Sequence, residues 1–247
     1  MGPATDLEIA IHAAQSAAAL AVRLSPLGVR IKSKPGDLVT DADLAAETLI
    51  RDLVAEHRPE DGFLGEEGSR RPGERRWVAD AIDGTLNFVR ADPFWCSAVA
   101  LEDEQGPLVA AVHHVASGET FSAQRGAGCW LNGNRLTLAS EVPLDHAVLS
   151  TYFHPGDAVT PTAQRALASV ASARVRGSGT LELAWLAAGR VDVWLQRDVS
   201  LWDWMPGALL VLEAGGICET VHTGTGAWSY ASVASSADDL RRLVTAP

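Results

Sequence analysis

The chain has 247 residues, 47% hydrophobic and 21% charged, the composition of an ordinary globular protein. Acidic residues number 31 against 20 basic ones, and the resulting formal charge of −11 disfavours non-specific nucleic-acid binding, which needs clustered cations. No run approaches the ~18 apolar residues of a membrane span, and the three cysteines (Cys96, Cys129, Cys218) have no paired spacing, so the expected setting is a reducing cytoplasm.

A helix is predicted at the start, in DLEIAIHAAQSAAALAVRL. Thr5 and Glu8 fit a capping box, and Leu7, Ile11, Ala14, Ala18 and Ala21 recur at helical spacing. Asp6, Glu8, His12 and Arg23 interrupt that stretch, so it does not read as a signal peptide. SKPGDLV (Ser33 to Val39) reads as a loop turning at Pro35-Gly36. A second helix is expected from Asp41 to His57, with Leu49 and Leu53 on one face and Pro59 closing it. GSRRPGERR, Gly68 to Arg76, is a polar connector.

Beyond it come short β-rich runs, FWCSAVALED, GPLVAAVHHVAS and GETFSAQRGAGCWLNGNRL, separated by Gly, Asn and Asp as in an antiparallel meander. The later chain predicts a helix from Thr180 to Ala188, a strand from Val191 to Leu195, and a helix capped by Asp203 and ended by Gly215-Gly216. No linker divides the sequence and no repeat occurs. The expectation is one α+β domain over 1–247, with an N-terminal half to 140, a C-terminal half from 141, and a largely antiparallel sheet.

Acids recur at the ends of apolar runs: Glu66 and Glu67 in LGEEG, Asp80 and Asp83 in WVADAIDGTLNF, Asp203 in LWDW. Singly each reads as a cap or surface charge; Asp83, for instance, reads as the cap of a helix beginning at Gly84. Together they read differently. Buried unpaired carboxylates are costly, and several converging ones need hard cations between them. Oxygen ligands with no His or Cys pattern favour Mg²⁺. In DxxDGT the acids also precede a helix start, where free N–H groups bind an anion, and Thr85 adds a hydroxyl. That combination outlines a phosphate-ester hydrolysis site.

GEE, WVADAIDGTLNF, and WD ahead of a helix ending in EAGG resemble the inositol monophosphatase family, the lithium-sensitive Mg²⁺-dependent phosphatases. DLVTDAD, GAGCWLNGNRL and GSGTLELAWLAAGRVD extend the resemblance nearly end to end. It implies a layered αβαβα sandwich, usually a homodimer, with two or three Mg²⁺ per active site. By position, Glu66, Asp80 and the Ile82 carbonyl would hold one metal, and Asp80, Asp83 and Asp203 another. Thr85 and Asp43 match the pair that positions and deprotonates water, with Glu66 counted among the catalytic residues. Gly84 and Thr85 N–H groups would hold phosphate beside Asp83; Ser178, Gly179 and Gln196 match the alcohol-contacting positions, Glu67 a supporting acid, and Lys32 a basic residue of a mobile loop.

Three departures stand out. Ala81 replaces the usual Pro between the aspartates and should loosen that turn modestly. Trp204 and Met205 bring bulk beside Asp203, and Gln196 replaces a glutamate, keeping hydrogen-bonding capacity without charge. His113 and His114 are expected to point to opposite faces of a strand and to be structural.

The sequence therefore points to a Mg²⁺-dependent phosphomonoesterase, with inositol monophosphate as the default substrate. Histidinol phosphate is the nearest alternative, given NFVR and VSLWD, with Asp198 as a stand-in acid for a cationic alcohol. Fructose bisphosphate and other sugar phosphates stay open. So does a non-catalytic regulatory member of the family, against which the complete acid set argues. The partner expected is a small phosphate monoester, with neither nucleic acid nor membrane.

Overall fold

Thr5 starts the first helix, α1 (Asp6–Leu24), through the predicted box: its side chain accepts from the Glu8 N–H, and the Glu8 carboxylate accepts from the Thr5 N–H. The computed structural model describes residues 4–25, 27–32, 38–139, 141–153, 160–224 and 226–246, so Ser33 to Asp37 of the predicted loop lie outside the described residues. Alanines form most of the buried face of α1, and their small side chains let it pack closely on α2 (Asp41–His57). By length and composition alone α1 is long and apolar enough to cross a membrane, but Asp6, Glu8, His12 and Arg23 break its apolar run and its alanine face is buried in the core. α2 has its predicted bounds, but its buried face is Ala42, Asp43, Ala46, Glu47, Ile50 and Val54, with Leu49 and Leu53 at the margin.

Among the described residues, β3 (Gly62–Gly65), β4 (Arg70–Arg71), β5 (Arg76–Asp83), β6 (Cys96–Asp103), β7 (Gly106–His114), β8 (Glu119–Gln124), β9 (Gly128–Leu131) and β10 (Asn134–Leu136) form one sheet in the order 10-9-8-7-6-5-3-4. A two-stranded ribbon, β1 (Arg30–Ile31) with β2 (Leu38–Val39), precedes it. The large sheet is antiparallel except where β3 pairs parallel with β5. The stretch expected as a polar connector thus contains an edge strand, β4, paired to β3, and the first residue of β5.

A second sheet holds β11 (Val148–Tyr152), β12 (Ser172–Arg174), β13 (Val193–Arg197), β14 (Ile217–Thr223) and β15 (Gly226–Ser232) in the order 12-11-13-15-14. It is mixed rather than antiparallel, since β11 runs parallel to both β12 and β13.

Side-chain alternation builds the layers. From β5, Trp77, Ala79 and Ala81 point into a core shared with α1 and α2. Val78 points the other way, toward α5 (Gly179–Ala187) and α6 (Leu201–Glu213), which pack between the two sheets with Trp194 of β13. Val193 and Leu195 face α4 (Pro161–Ala168) and α7 (Ala237–Thr245) beyond. The order α1/α2, sheet, α5/α6, sheet, α4/α7 is the αβαβα sandwich expected. On the α5/α6 side, where Val78 points, Asp80 is two residues on.

Buried acids also occur outside the acid motifs. Glu182, on α5, is fully buried, and its Oε1 accepts from the Arg176 N–H at 3.2 Å. Burial pushes its carboxyl up to about 8, with Ser150 and Arg176 opposing only in part. The folded protein therefore holds a proton that the unfolded chain releases near the ordinary value of 4.5. Stability contributed by that proton is present below the unfolded value and is lost as pH rises toward about 8. Glu182→Gln should gain on the wild type progressively between about pH 5 and pH 8, by several degrees in thermal midpoint at the upper end. A midpoint difference that does not change with pH would show that Glu182 is not protonated in the fold.

Candidate active site

The strand β5 does not run straight to its end. Its register against β6 shifts between Asp80, which pairs with Ala98, and Asp83, which pairs with Cys96. In a regular strand residues three apart face opposite sides; the irregularity lets Asp83 join Asp80. Asp203 comes from the first turn of α6, where the positive end of the helix dipole favours a carboxylate. Carboxylate oxygens of Asp80, Asp83 and Asp203 all lie within 4.8 Å of one another.

Neither aspartate takes the cap position beside it. Gly84, not Asp83, is the N-cap of the short helix α3 (Thr85–Val89), at φ +102°. A side chain there would be strained, and its Cβ would meet Trp95 Cβ at 3.1 Å and the Phe94 and Gly177 carbonyl oxygens at 3.2 Å. Ser200, not Asp203 as expected, caps α6, and Pro206 is the sixth residue of that helix. Both aspartates fit cap preference as residue types; their carboxyls are instead used in the cluster.

Each acid is tethered. Asp83 Oδ2 accepts from the Ser178 hydroxyl at 2.8 Å and the Thr180 N–H at 2.7 Å, with the Cys96 thiol at 3.8 Å, leaving Oδ1 free of these donors. Asp80 Oδ1 accepts from the Ile82 N–H at 2.9 Å. The main chain of Asp203 is held by the Thr180 hydroxyl, which donates to its carbonyl at 2.9 Å. Glu66 and Glu67 follow β3, and the Lys32 ammonium donates to Glu66 Oε1 at 2.7 Å and Glu67 Oε1 at 2.6 Å. Lys32 is thus part-buried and ion-paired.

The electrostatics follow from burial among like charges. Asp80 is held well above the usual carboxylate range by burial first and then by Glu66, Asp83 and Asp203. Asp203 is raised well above it too, by burial and then by Asp83 and Glu66. Asp83 is raised by burial despite its Ser178 and Thr180 donors. Glu67 is pushed up to about 7, chiefly by burial, with Lys32 opposing. Lys32 is raised, the pull of both glutamates outweighing its own burial. Without a cation the aspartates must take up protons to coexist. An all-oxygen, anionic, buried donor set of this kind fits Mg²⁺.

Beside the cluster the Thr85 hydroxyl donates to Asp43 Oδ1 at 3.0 Å and lies 3.2 Å from the Ile82 carbonyl oxygen. Asp43 Oδ2 is held by the Thr40 N–H at 2.8 Å and by the Thr40 hydroxyl, and burial raises the carboxyl. Ala81 leaves the turn well anchored: it is buried, and its carbonyl accepts from the Ser97 hydroxyl at 2.5 Å.

Of the alcohol-contacting positions, the buried Ser178 uses its hydroxyl on Asp83, Gly179 opens α5, and Gln196 lies on β13 with its Oε1 beside Gly179. The Trp204 ring packs tilted against Trp194, centroids 5.4 Å apart, and Met205 is buried in the core. Asp198 accepts from the Ala227 N–H at 2.8 Å and pairs with Arg197. His113 bonds Thr120, its neighbour on strand β8, while His114 bridges Ser117 and the Pro93 carbonyl and so holds loops.

The sequence reading missed Glu47 and Asn87. Glu47, one turn after Asp43 on the buried face of α2, accepts from the Glu67 N–H at 2.6 Å and the Ser69 N–H at 2.9 Å and so shapes the turn that presents Glu66. Asn87 donates to the Phe94 and Arg176 carbonyls at 2.7 and 2.6 Å, tying α3 to the segment before α5. An acid at helical spacing inside a buried face was the available signal for Glu47; Asn87 depends on a segment 89 residues away.

A family model described as the inositol monophosphatase family matches residues 4–244. Inositol-1-monophosphatase of Rhizobium meliloti is 40% identical over 74% of this chain and 71% of that one. Nus factor SuhB of Escherichia coli is 34% identical over 91% and 87%. The solved structure of extragenic suppressor protein SuhB from Bartonella henselae superposes with a TM-score of 0.87 at 29% identity, covering 97% of this chain and 98% of that one.

Because the raised aspartates favour protonation in the metal-free fold, that fold should lose stability as pH rises through their elevated values. Mg²⁺ should therefore raise the thermal midpoint more at pH 8 than at pH 5, contributing about 2.7 kcal/mol when free Mg²⁺ is a hundredfold above its dissociation constant. Asp80→Asn should shrink both effects. A Mg²⁺ shift that is equal at the two pH values would contradict this electrostatic picture.

Proposed function

The chain belongs to the inositol monophosphatase family, and from that premise we propose that it is a Mg²⁺-dependent phosphomonoesterase acting on a small phosphorylated alcohol, with inositol monophosphate as the default. The observation that carries the reading is the convergence of Asp80, Asp83 and Asp203 beside the Thr85–Asp43 pair.

Asp80, Asp83 and Asp203, with Glu66 and the Ile82 carbonyl, are the groups that would hold two or three Mg²⁺. The metal supplies charge that screens the phosphate dianion, acidifies the attacking water and steadies the leaving alkoxide. The protein's own groups do the rest. Thr85 donates its hydroxyl proton toward Asp43 Oδ1, so its oxygen is free to accept one from water. Asp43, raised by burial and fixed on its other oxygen by Thr40, takes up the proton that Thr85 passes on. The N–H groups of Gly84 and Thr85, at the start of α3, hold the phosphate, since the first turn of a helix leaves its N–H groups without intrahelical partners. Attack is in line from water, and no phosphoenzyme is required.

The SuhB-named relatives suggest a second, non-catalytic reading. What favours catalysis here is that every acid of the cluster is present and tethered. A cationic aminoalcohol substrate gains little support, because Asp198 is engaged by Ala227 and Arg197. A second copy of the chain as dimer partner and a cytoplasmic setting complete the proposal.

The test is phosphate release from inositol 1-phosphate and histidinol phosphate with Mg²⁺, using Asp83→Asn as the blank. Thr85→Val and Asp43→Asn should each lower kcat by about 10²–10⁴-fold, as expected for a general-base relay. Wild-type kcat in both variants would remove the relay, and no release by the wild type would remove the enzyme.

A further inference from the structure

Asp83 Oδ2 is held by the turn that opens α5, through the Ser178 hydroxyl and the Thr180 N–H. The residue directly before that turn, Gly177 at φ +84°, supplies no side chain to anchor it. The anchor lies one residue earlier. Arg176 sits between β12 and α5, outside any helix or ladder, so its backbone groups need other partners. Its N–H donates to Glu182 Oε1 at 3.2 Å, and its carbonyl accepts from Asn87 Nδ2 at 2.6 Å.

The two side chains reach Arg176 from different elements. Glu182 comes back from the first turn of α5, and Asn87 comes across from α3, three residues after Gly84. Asn87 spends both hydrogens of its amide group here, the second on the Phe94 carbonyl at 2.7 Å. The Arg176 guanidinium closes the knot, 5.5 Å from the centroid of the Phe94 ring and 5.0 Å from that of Trp185 on α5. There is little slack: a Cβ at 177 would lie 3.3 Å from Asn87 Nδ2.

We infer that Asn87 and Glu182 are positioning residues of the metal site. By gripping Arg176 through both its backbone groups, they fix the Ser178–Thr180 turn that saturates Asp83 Oδ2 and leaves Oδ1 for a divalent cation. They act through Asp83 and not by contact with the cation. This rests on the Mg²⁺-dependent reading of the acid cluster and extends it to residues outside the acid motifs.

The test is calorimetric titration of the metal-free full chain with Mg²⁺ at pH 7, paired with thermal unfolding before metal is added. Asn87→Leu keeps the branching of the side chain and removes the donor, and Glu182→Leu removes the acceptor. Each should raise the Mg²⁺ dissociation constant about tenfold, the loss that follows when the support of a metal ligand is removed. Glu182→Gln keeps an oxygen for the Arg176 N–H and should stay within about twofold of the wild type. Burial pushes the Glu182 carboxyl up to about 8, so at pH 7 it is mostly protonated and these substitutions leave the charge near the cluster almost unchanged.

A dissociation constant within about twofold of the wild type in either folded leucine variant overturns the inference, even where that variant unfolds earlier. Equal losses in Glu182→Gln and Glu182→Leu overturn it too, since the accepting oxygen would then not be the cause. Where one leucine variant does not fold, the other decides. If the wild type binds no Mg²⁺, the metal reading falls and takes the clamp with it. Binding by the wild type with unchanged variants removes the clamp alone.

Discussion

Three aspartates held within 4.8 Å of one another, with Glu66 acting on all of them, are a repulsive arrangement that the rest of the molecule exists to sustain. Charges so close in a buried setting repel strongly, so the carboxyls must be protonated or compensated. The fold restrains them from three directions. The irregular end of β5 supplies Asp80 and Asp83, the first turn of α6 supplies Asp203, and the turn after β3 supplies Glu66 under the Lys32 ammonium. No one element could do this. Sandwiching α5 and α6 between two sheets is what brings them to one point.

The hydrogen bonds around the cluster divide each carboxylate's labour. Asp83 has one oxygen saturated by α5 and one left over, and Asp43 has one oxygen fixed by Thr40 and one facing Thr85. Restraint on one side leaves the other for chemistry. Lys32 is the resident cation of the cluster's edge, and it satisfies Glu66 and Glu67 without reaching the level of charge that all the acids require.

Much of this was legible in the sequence where the determinants are local. The Thr5–Glu8 box, the bounds of α2 and the DxxDGT acids all rest on residues within a turn of each other, and local preference carried them. Residue-type preference failed where an acid has a tertiary use: Asp83 and Asp203 look like caps, yet Gly84 and Ser200 hold those positions. Long-range contacts were not readable at all. The Thr180 N–H on Asp83 links residues 97 apart, and Glu47 reaches the turn after Glu66 from a different element. The bulk that Trp204 brings beside Asp203 packs against Trp194, a contact across elements that the sequence does not show.

The most direct test of the central claim is calorimetric titration of the metal-free protein with Mg²⁺ at pH 7, in two buffers of different ionisation enthalpy. If the aspartates coexist only by taking up protons, binding releases about one proton or more per chain, and Asp80→Asn reduces that number. Mg²⁺ binding with no proton release, or no binding at all, would contradict the account.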